Sequence, residues 1–66
     1  MARKNRLSFW RKVRGLSQSD LAKLIGVTYM TISNWERDET VPTHSQIQRL
    51  AEFLRVAARD LYPFEP

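Results

Sequence analysis

Four side chains between positions 29 and 34 carry the most specific chemistry in the chain: Tyr29, Met30, Ser33 and Asn34. Take about 100° per residue with Ile32 at the centre of a buried face. Met30, Ser33, Asn34 and Arg37 then point the opposite way, and Tyr29 projects from the first turn. Thr28, Trp35 and Glu36 fall within about 60° of Ile32. The outward stripe is small, polar and adaptable, with one thioether, one phenol and no carboxylate. Such groups suit the base edges of a DNA major groove. Asn34 and Ser33 offer hydrogen bonds, and Met30 an apolar contact for a thymine methyl. A solvated helix face more often carries Glu and Lys pairs. For Tyr29 a second reading stays open, in which its ring partly covers neighbouring side chains.

The stripe needs a scaffold, and the stretch Ser17 to Glu36, SQSDLAKLIGVTYMTISNWE, reads as two short helices joined by a tight turn. Ser17 is an N-cap, with Asp20 three residues on in capping-box position. Leu21, Leu24 and Ile25 recur at helical spacing and are expected to face inward. Gly26 stands where the first of these helices should stop, since glycine takes the left-handed conformation that closes a last turn. Thr28 caps the second, a nine-residue helix.

The flanking chain supplies further helices. Leu7 to Arg14 forms the first, with Asn5 as a candidate cap, and Leu7, Trp10, Arg11 and Arg14 on one face. An arginine on that apolar side needs a partner, because an unpaired buried charge is costly. Phe9 and Val13 lie on another side and are expected to pack on Leu61, Tyr62, Pro63 and Phe64. Gly15 ends this helix and Leu16 returns the chain to the core. Thr43 and Gln46 form a second capping box ahead of a helix whose buried stripe is Ile47, Leu50, Ala51 and Leu54. His44 reads as a surface residue of its first turn. Ala57 to Tyr62 is a short last helix, poorly capped by Ala57 and ended by Pro63. The expected division is a basic arm over residues 1–6, one domain over 7–62 and a tail over 63–66.

Sixty-six residues make one small domain, in which only about 60% of the unfolded chain's surface is buried. With no cysteine and a single histidine, disulfide frameworks and cysteine-based zinc sites are excluded, and no metal or cofactor is expected. No apolar run approaches a membrane span and the N-terminus lacks a signal-peptide segment, so a cytoplasmic protein is expected. The net charge of +4 is uneven. Up to Arg37, eight basic residues (Arg3, Lys4, Arg6, Arg11, Lys12, Arg14, Lys23, Arg37) face two acidic ones, Asp20 and Glu36. From Asp38 onward, three basic residues (Arg49, Arg55, Arg59) face five acidic ones (Asp38, Glu39, Glu52, Asp60, Glu65). The half that holds the paired helices is the half that attracts phosphate. Enzyme classes find little footing, with no cysteine nucleophile, no His–carboxylate cluster and no glycine-rich phosphate loop.

The run Leu16-Ser17-Gln18, Leu21-Ala22, Gly26-Val27-Thr28, Ile32-Ser33 and Trp35-Glu36, with Arg11 ahead and Pro42-Thr43 behind, resembles the phage-repressor/Cro-type (XRE-like) helix-turn-helix family. The resemblance extends from about Leu7 to Leu61. It implies an all-α, compact five-helix bundle of the lambda-repressor-like DNA-binding type, with helices 2 and 3 forming the helix-turn-helix. It further implies an internal ion pair between Arg11 and Glu36, and a Gln18 that holds the sugar-phosphate backbone and braces a side chain of the third helix. Thr28, Thr31, Arg37 and Thr40 are candidate phosphate contacts, with Arg14 and the basic arm adding nonspecific attraction. Two departures stand out. Asp38 and Glu39 occupy a loop where relatives often have glycine and a basic residue. Arg55 replaces a common glycine near the end of the fourth helix, so the following turn is expected to differ.

The resulting expectation is a sequence-specific double-stranded DNA-binding transcriptional regulator that reads the major groove with helix 3. One such domain reads few base pairs, so a weak homodimer on an inverted-repeat operator is expected. Phe53, Val56, Leu61, Tyr62 and Phe64 are its candidate contacts. The alternative is a protein-interaction module, such as an antitoxin, whose main partner is another protein.

Overall fold

Four helix ends in this chain close with the same turn, and only two of them use glycine. In the computed structural model, residues 5–63 are described. They form α1 (Leu7–Val13), α2 (Gln18–Ile25), α3 (Tyr29–Glu36), α4 (His44–Leu54) and α5 (Ala58–Leu61), with no strand among the described residues. The left-handed closing residues are Gly15 (φ 72°), Gly26 (φ 89°), Asp38 (φ 60°) and Arg55 (φ 61°). In each case the next N–H reaches back five residues. Leu16 donates to Arg11 O at 3.1 Å, Val27 to Ala22 O at 3.0 Å, Glu39 to Asn34 O at 2.9 Å and Val56 to Ala51 O at 3.0 Å. This is the Schellman closure, which satisfies carbonyls that the helix leaves free. The turn after α4 therefore does not differ from a glycine-closed one. Arg55 adopts the left-handed conformation itself, at a steric cost that glycine avoids.

The N-termini follow local chemistry. Ser17 Oγ accepts from Asp20 N at 2.9 Å while Asp20 Oδ2 accepts from Ser17 N at 3.0 Å. Thr43 and Gln46 make the same reciprocal pair at 3.2 and 2.8 Å. Ala57 has no hydroxyl to offer, and only the return half of the box forms, Ala57 N donating to Asp60 Oδ2 at 2.9 Å. The last helix is correspondingly shorter than expected, Ala58–Leu61.

Every helix contributes at least one fully buried leucine or isoleucine to a single core: Leu7, Leu21, Ile32, Leu50, Leu54 and Leu61. Ala22, Ile25, Trp35, Ala51 and Tyr62 complete it. The α2 stripe is rotated from the expected one. Leu24 is exposed and Ala22 is buried instead, because a small residue lets the neighbouring helices approach closely. Phe9 and Val13 are half-exposed rather than packed inward; Phe9 lies edge-on to Trp10 and under the Arg6 guanidinium.

Side chains from one helix close the ends of others. Arg49 of α4 donates to Ile25 O at 2.8 Å, at the end of α2. Arg14 donates to Leu54 O at 2.7 Å, at the end of α4. Trp10 Nε1 donates to Asp60 O in α5 at 3.2 Å. Cations at helix C-termini complement both the free carbonyls and the helix dipole.

Candidate nucleic-acid interface

The short link from Gly26 to Thr28 turns the chain so that α3 lies across α2 with Ile32 and Trp35 buried. Thr28 fixes the start of α3. Its Oγ1 accepts from Thr31 N at 3.3 Å and lies 3.1 Å from Thr31 Oγ1. Thr28 itself is exposed rather than turned toward Ile32, because a cap has extended backbone and the helical phase does not reach it. Tyr29 is 55% and Met30 51% exposed, while Ser33 and Asn34 are half-buried. These four side chains share the face of α3 turned away from the core.

Behind that face stands a polar brace. Arg11 Nε donates to Glu36 Oε2 at 2.6 Å and its Nη2 to Glu36 Oε1 at 3.3 Å, in an ion pair almost wholly buried. Arg11 Nη1 donates to Leu16 O at 2.8 Å. Gln18 Nε2 adds a third donor to the carboxylate, reaching Glu36 Oε1 at 2.9 Å. The end of α3 is thus tied to α1, to the α1–α2 link and to the first turn of α2. Such a charge is tolerated in the interior only when it is paired and hydrogen-bonded in this way.

A second tie closes α3 from the other side. Asn5 Nδ2 donates to Trp35 O at 2.7 Å and to Asp38 Oδ1 at 2.8 Å, and Asn5 Oδ1 accepts from Leu7 N at 2.9 Å. Asn5 therefore anchors the start of α1 and the end of α3 together. Met1 to Lys4, the rest of the basic arm, lie outside the described residues. At the exposed end of α3, Arg37 Nη2 donates to Asn34 Oδ1 at 2.7 Å. Thr40 is exposed in the loop that follows.

Two electrostatic features bear on the site. The backbone N–H of Ser17, followed by its hydroxyl, holds the Asp20 carboxyl below its ordinary value. Burial pushes the Tyr62 phenol upward, and the nearby Asp38 and Glu36 charges act in the same direction.

Several expected site residues are placed elsewhere. Arg14 is committed to the end of α4, where its Nη2 also reaches Arg55 O at 3.4 Å. It therefore serves as a helix cap, with Nη1 left uncommitted. Leu61 and Tyr62 are buried in the core and are unavailable as dimer contacts, and Val56 packs partly against the same core. Phe53 remains exposed, and Phe64 lies outside the described residues.

A family model described as Helix-turn-helix matches residues 7–61 of this chain. The chain belongs to the helix-turn-helix family. That family is one of DNA-binding transcription regulators and not of enzymes. This helix-turn-helix protein is 34% identical over 62 residues to an uncharacterised HTH-type transcriptional regulator of Methanocaldococcus jannaschii, covering 94% of each chain. It is 32% identical over 60 residues to the uncharacterised HTH-type transcriptional regulator YazB of Bacillus subtilis, covering 91% of this chain and 87% of that one. Among solved structures it resembles the P22 c2 repressor in complex with a synthetic operator, with a TM-score of 0.77, 33% identity and 82% coverage of both chains. A hypothetical transcription factor of Neisseria matches with a TM-score of 0.76 and 31% identity over 83% of this chain and 63% of that one. The five-helix bundle is of the lambda-repressor-like type. Among the described residues, no helix is long and apolar enough to cross a membrane.

Sequence reasoning placed Asn5 at the start of α1 but missed its tie to the end of α3, the role of Arg49 and the Asn34–Arg37 contact. Only the last had a local signal, a spacing of three residues within one helical face.

Proposed function

We propose that this chain is a sequence-specific double-stranded DNA-binding transcriptional regulator that reads the major groove with α3. The observation that carries the reading is the outward face of α3. Exposed Tyr29 and Met30 and half-buried Ser33 and Asn34 lie on the side of α3 away from the core, and the inner side of that helix is locked by the Arg11–Glu36–Gln18 brace. Fixed presentation of a few polar and apolar groups is what base discrimination requires, at roughly 1–3 kcal/mol per good pairing. The likeness to a repressor bound to its operator supports the same reading.

In this proposal Gln18, Thr28, Thr31, Arg37 and Thr40 hold phosphates. Gln18 spends one N–H on Glu36 and keeps its second N–H and its oxygen. That arrangement orients the remaining donor beside the N-terminus of α2, where the dipole favours phosphate. Of the expected arm over residues 1–6, Asn5 and Arg6 are tied into the fold, and the basic residues Arg3 and Lys4 ahead of them add nonspecific attraction to the domain over 7–62. The protein acts in the cytoplasm as a weak homodimer on an inverted repeat, with Phe53 the exposed apolar residue nearest to hand and Val56 beside it.

Selection from a random duplex library tests this. The wild-type chain is expected to enrich an inverted repeat, and a Met30→Ala/Asn34→Ala double variant to lose it. Enrichment of single half-sites keeps the readout and removes the dimer. No enrichment, with binding that only collapses as salt rises, rejects the reading.

A further inference from the structure

Asn34 and Arg37 stand one turn apart on the outer face of α3 and are bonded to each other, Arg37 Nη2 donating to Asn34 Oδ1 at 2.7 Å. A guanidinium carries donors and no acceptor, so the amide can meet it only with its oxygen. The contact therefore dictates which way round the Asn34 amide lies. Its –NH2 group is directed away from Arg37 and has no partner among the described residues. Arg37 is itself held in place. Its N–H donates to Ser33 O at 3.1 Å, and the left-handed Asp38 closes the helix immediately after it.

The consequence concerns which base the pair can accept. A free asparagine reads adenine with both halves of its amide, donating to N7 and accepting from the N6 amino group. Arg37 takes one of the two acceptor sites of the Asn34 oxygen and holds that oxygen turned toward itself, so the –NH2 is the half left to meet a base. Against adenine, its remaining N–H groups find one acceptor and face one donor. Guanine offers two acceptors, N7 and O6, to the same N–H groups. We infer that Arg37 is a specificity-determining residue, holding Asn34 as a donor so that α3 selects guanine over adenine at the base pair Asn34 meets. The inference rests on the major-groove reading proposed above. It leaves Arg37 its Nε and Nη1 donors for a phosphate, so the two roles do not compete.

The test is library selection with three proteins: the wild type, Arg37→Met and Asn34→Ala. Methionine keeps the length of the arginine stem and removes every donor, and Arg37 is exposed, so the variant keeps the fold. Circular dichroism melts verify this before selection. The position flattened in Asn34→Ala identifies the base pair concerned. There the wild type is expected to prefer guanine over adenine about tenfold. In Arg37→Met that preference falls to within about threefold or reverses, while the other positions keep their ranking. An unchanged guanine preference in Arg37→Met overturns the inference and leaves the major-groove reading intact, as does a wild-type preference for adenine at that position. A wild-type selection that enriches no sequence overturns the major-groove reading and the inference with it.

Discussion

Glu36 holds Arg11 through both carboxylate oxygens, at 2.6 and 3.3 Å, across 25 residues of chain. The pair joins the first helix to the helix that carries the proposed reading face, so fold and site share one interaction. Replacing a single partner leaves the other charge buried, at a cost of about 3–5 kcal/mol. Arg11→Met and Glu36→Leu are each expected to unfold much of the protein at 37 °C, since small domains have little stability to lose. The double replacement is expected to recover most of that loss, because two apolar side chains leave no orphaned charge. Urea titrations of the three variants check the pattern.

Closure by a left-handed residue gives a second set of outcomes. Arg55→Gly is expected to stabilise the protein by about 0.5–1 kcal/mol, the left-handed strain of a side chain exceeding the backbone entropy that glycine loses. Gly26→Ala is expected to destabilise it by about 1 kcal/mol. Nothing lies within 4 Å of a methyl group at that position, so the cost comes from the backbone alone. Midpoints of urea denaturation at constant slope measure both.

Tyr62 makes stability depend on alkaline pH. Burial, with Asp38 and Glu36 nearby, raises its pKa in the folded chain, so the folded state keeps the proton where the unfolded chain releases it. The contribution is constant below the unfolded value of about 10 and is lost as pH rises beyond it, by up to about 1.4 kcal/mol per pH unit. Tyr62→Phe removes this slope. The difference in unfolding free energy between wild type and variant, followed from pH 8 to pH 11.5, is expected to stay flat to about pH 10 and then shift against the wild type.

Contacts to phosphates and contacts to bases separate by their effect on sequence preference. Thr40→Val is expected to weaken binding about fivefold for every duplex, good site or poor, because Thr40 is exposed outside the brace behind α3 and a phosphate contact carries no sequence information. Met30→Ala is expected to weaken the preferred site more than random DNA, by about 1 kcal/mol or more. Titration of one selected and one scrambled duplex with each variant distinguishes them.

How far the sequence spoke depended on how far along the chain each interaction reaches. The caps at Ser17, Thr28 and Thr43 span three residues, and their chemistry is complete within that window. The buried positions of α3 followed from helical phase for the same reason. Arg11 and Glu36 were paired only through the family resemblance, since nothing local links them. The ties Arg49–Ile25, Asn5–Asp38 and Arg14–Leu54 span 24, 33 and 40 residues, and each involves a backbone carbonyl or a loop carboxylate. No residue pattern announces a carbonyl as a partner. Leu24 was misplaced on α2 because hydrophobicity ranks leucine above alanine, whereas close helix packing favoured the smaller Ala22. The dimer candidates Leu61 and Tyr62 failed likewise, an apolar C-terminal segment being equally fit to fill its own core.

The borrowed helix ends have a kinetic meaning. The last carbonyls of α2 are held from α4, those of α4 by Arg14 at the end of α1, and those of α3 by Asn5 ahead of α1. None of α2, α3 and α4 can fray at its C-terminus without breaking a tie to another part of the chain. Local opening of these three helices then gains little that global opening does not. Amide exchange in α2, α3 and α4 should accordingly converge on one free energy, that of whole-molecule unfolding, despite the brevity of each helix.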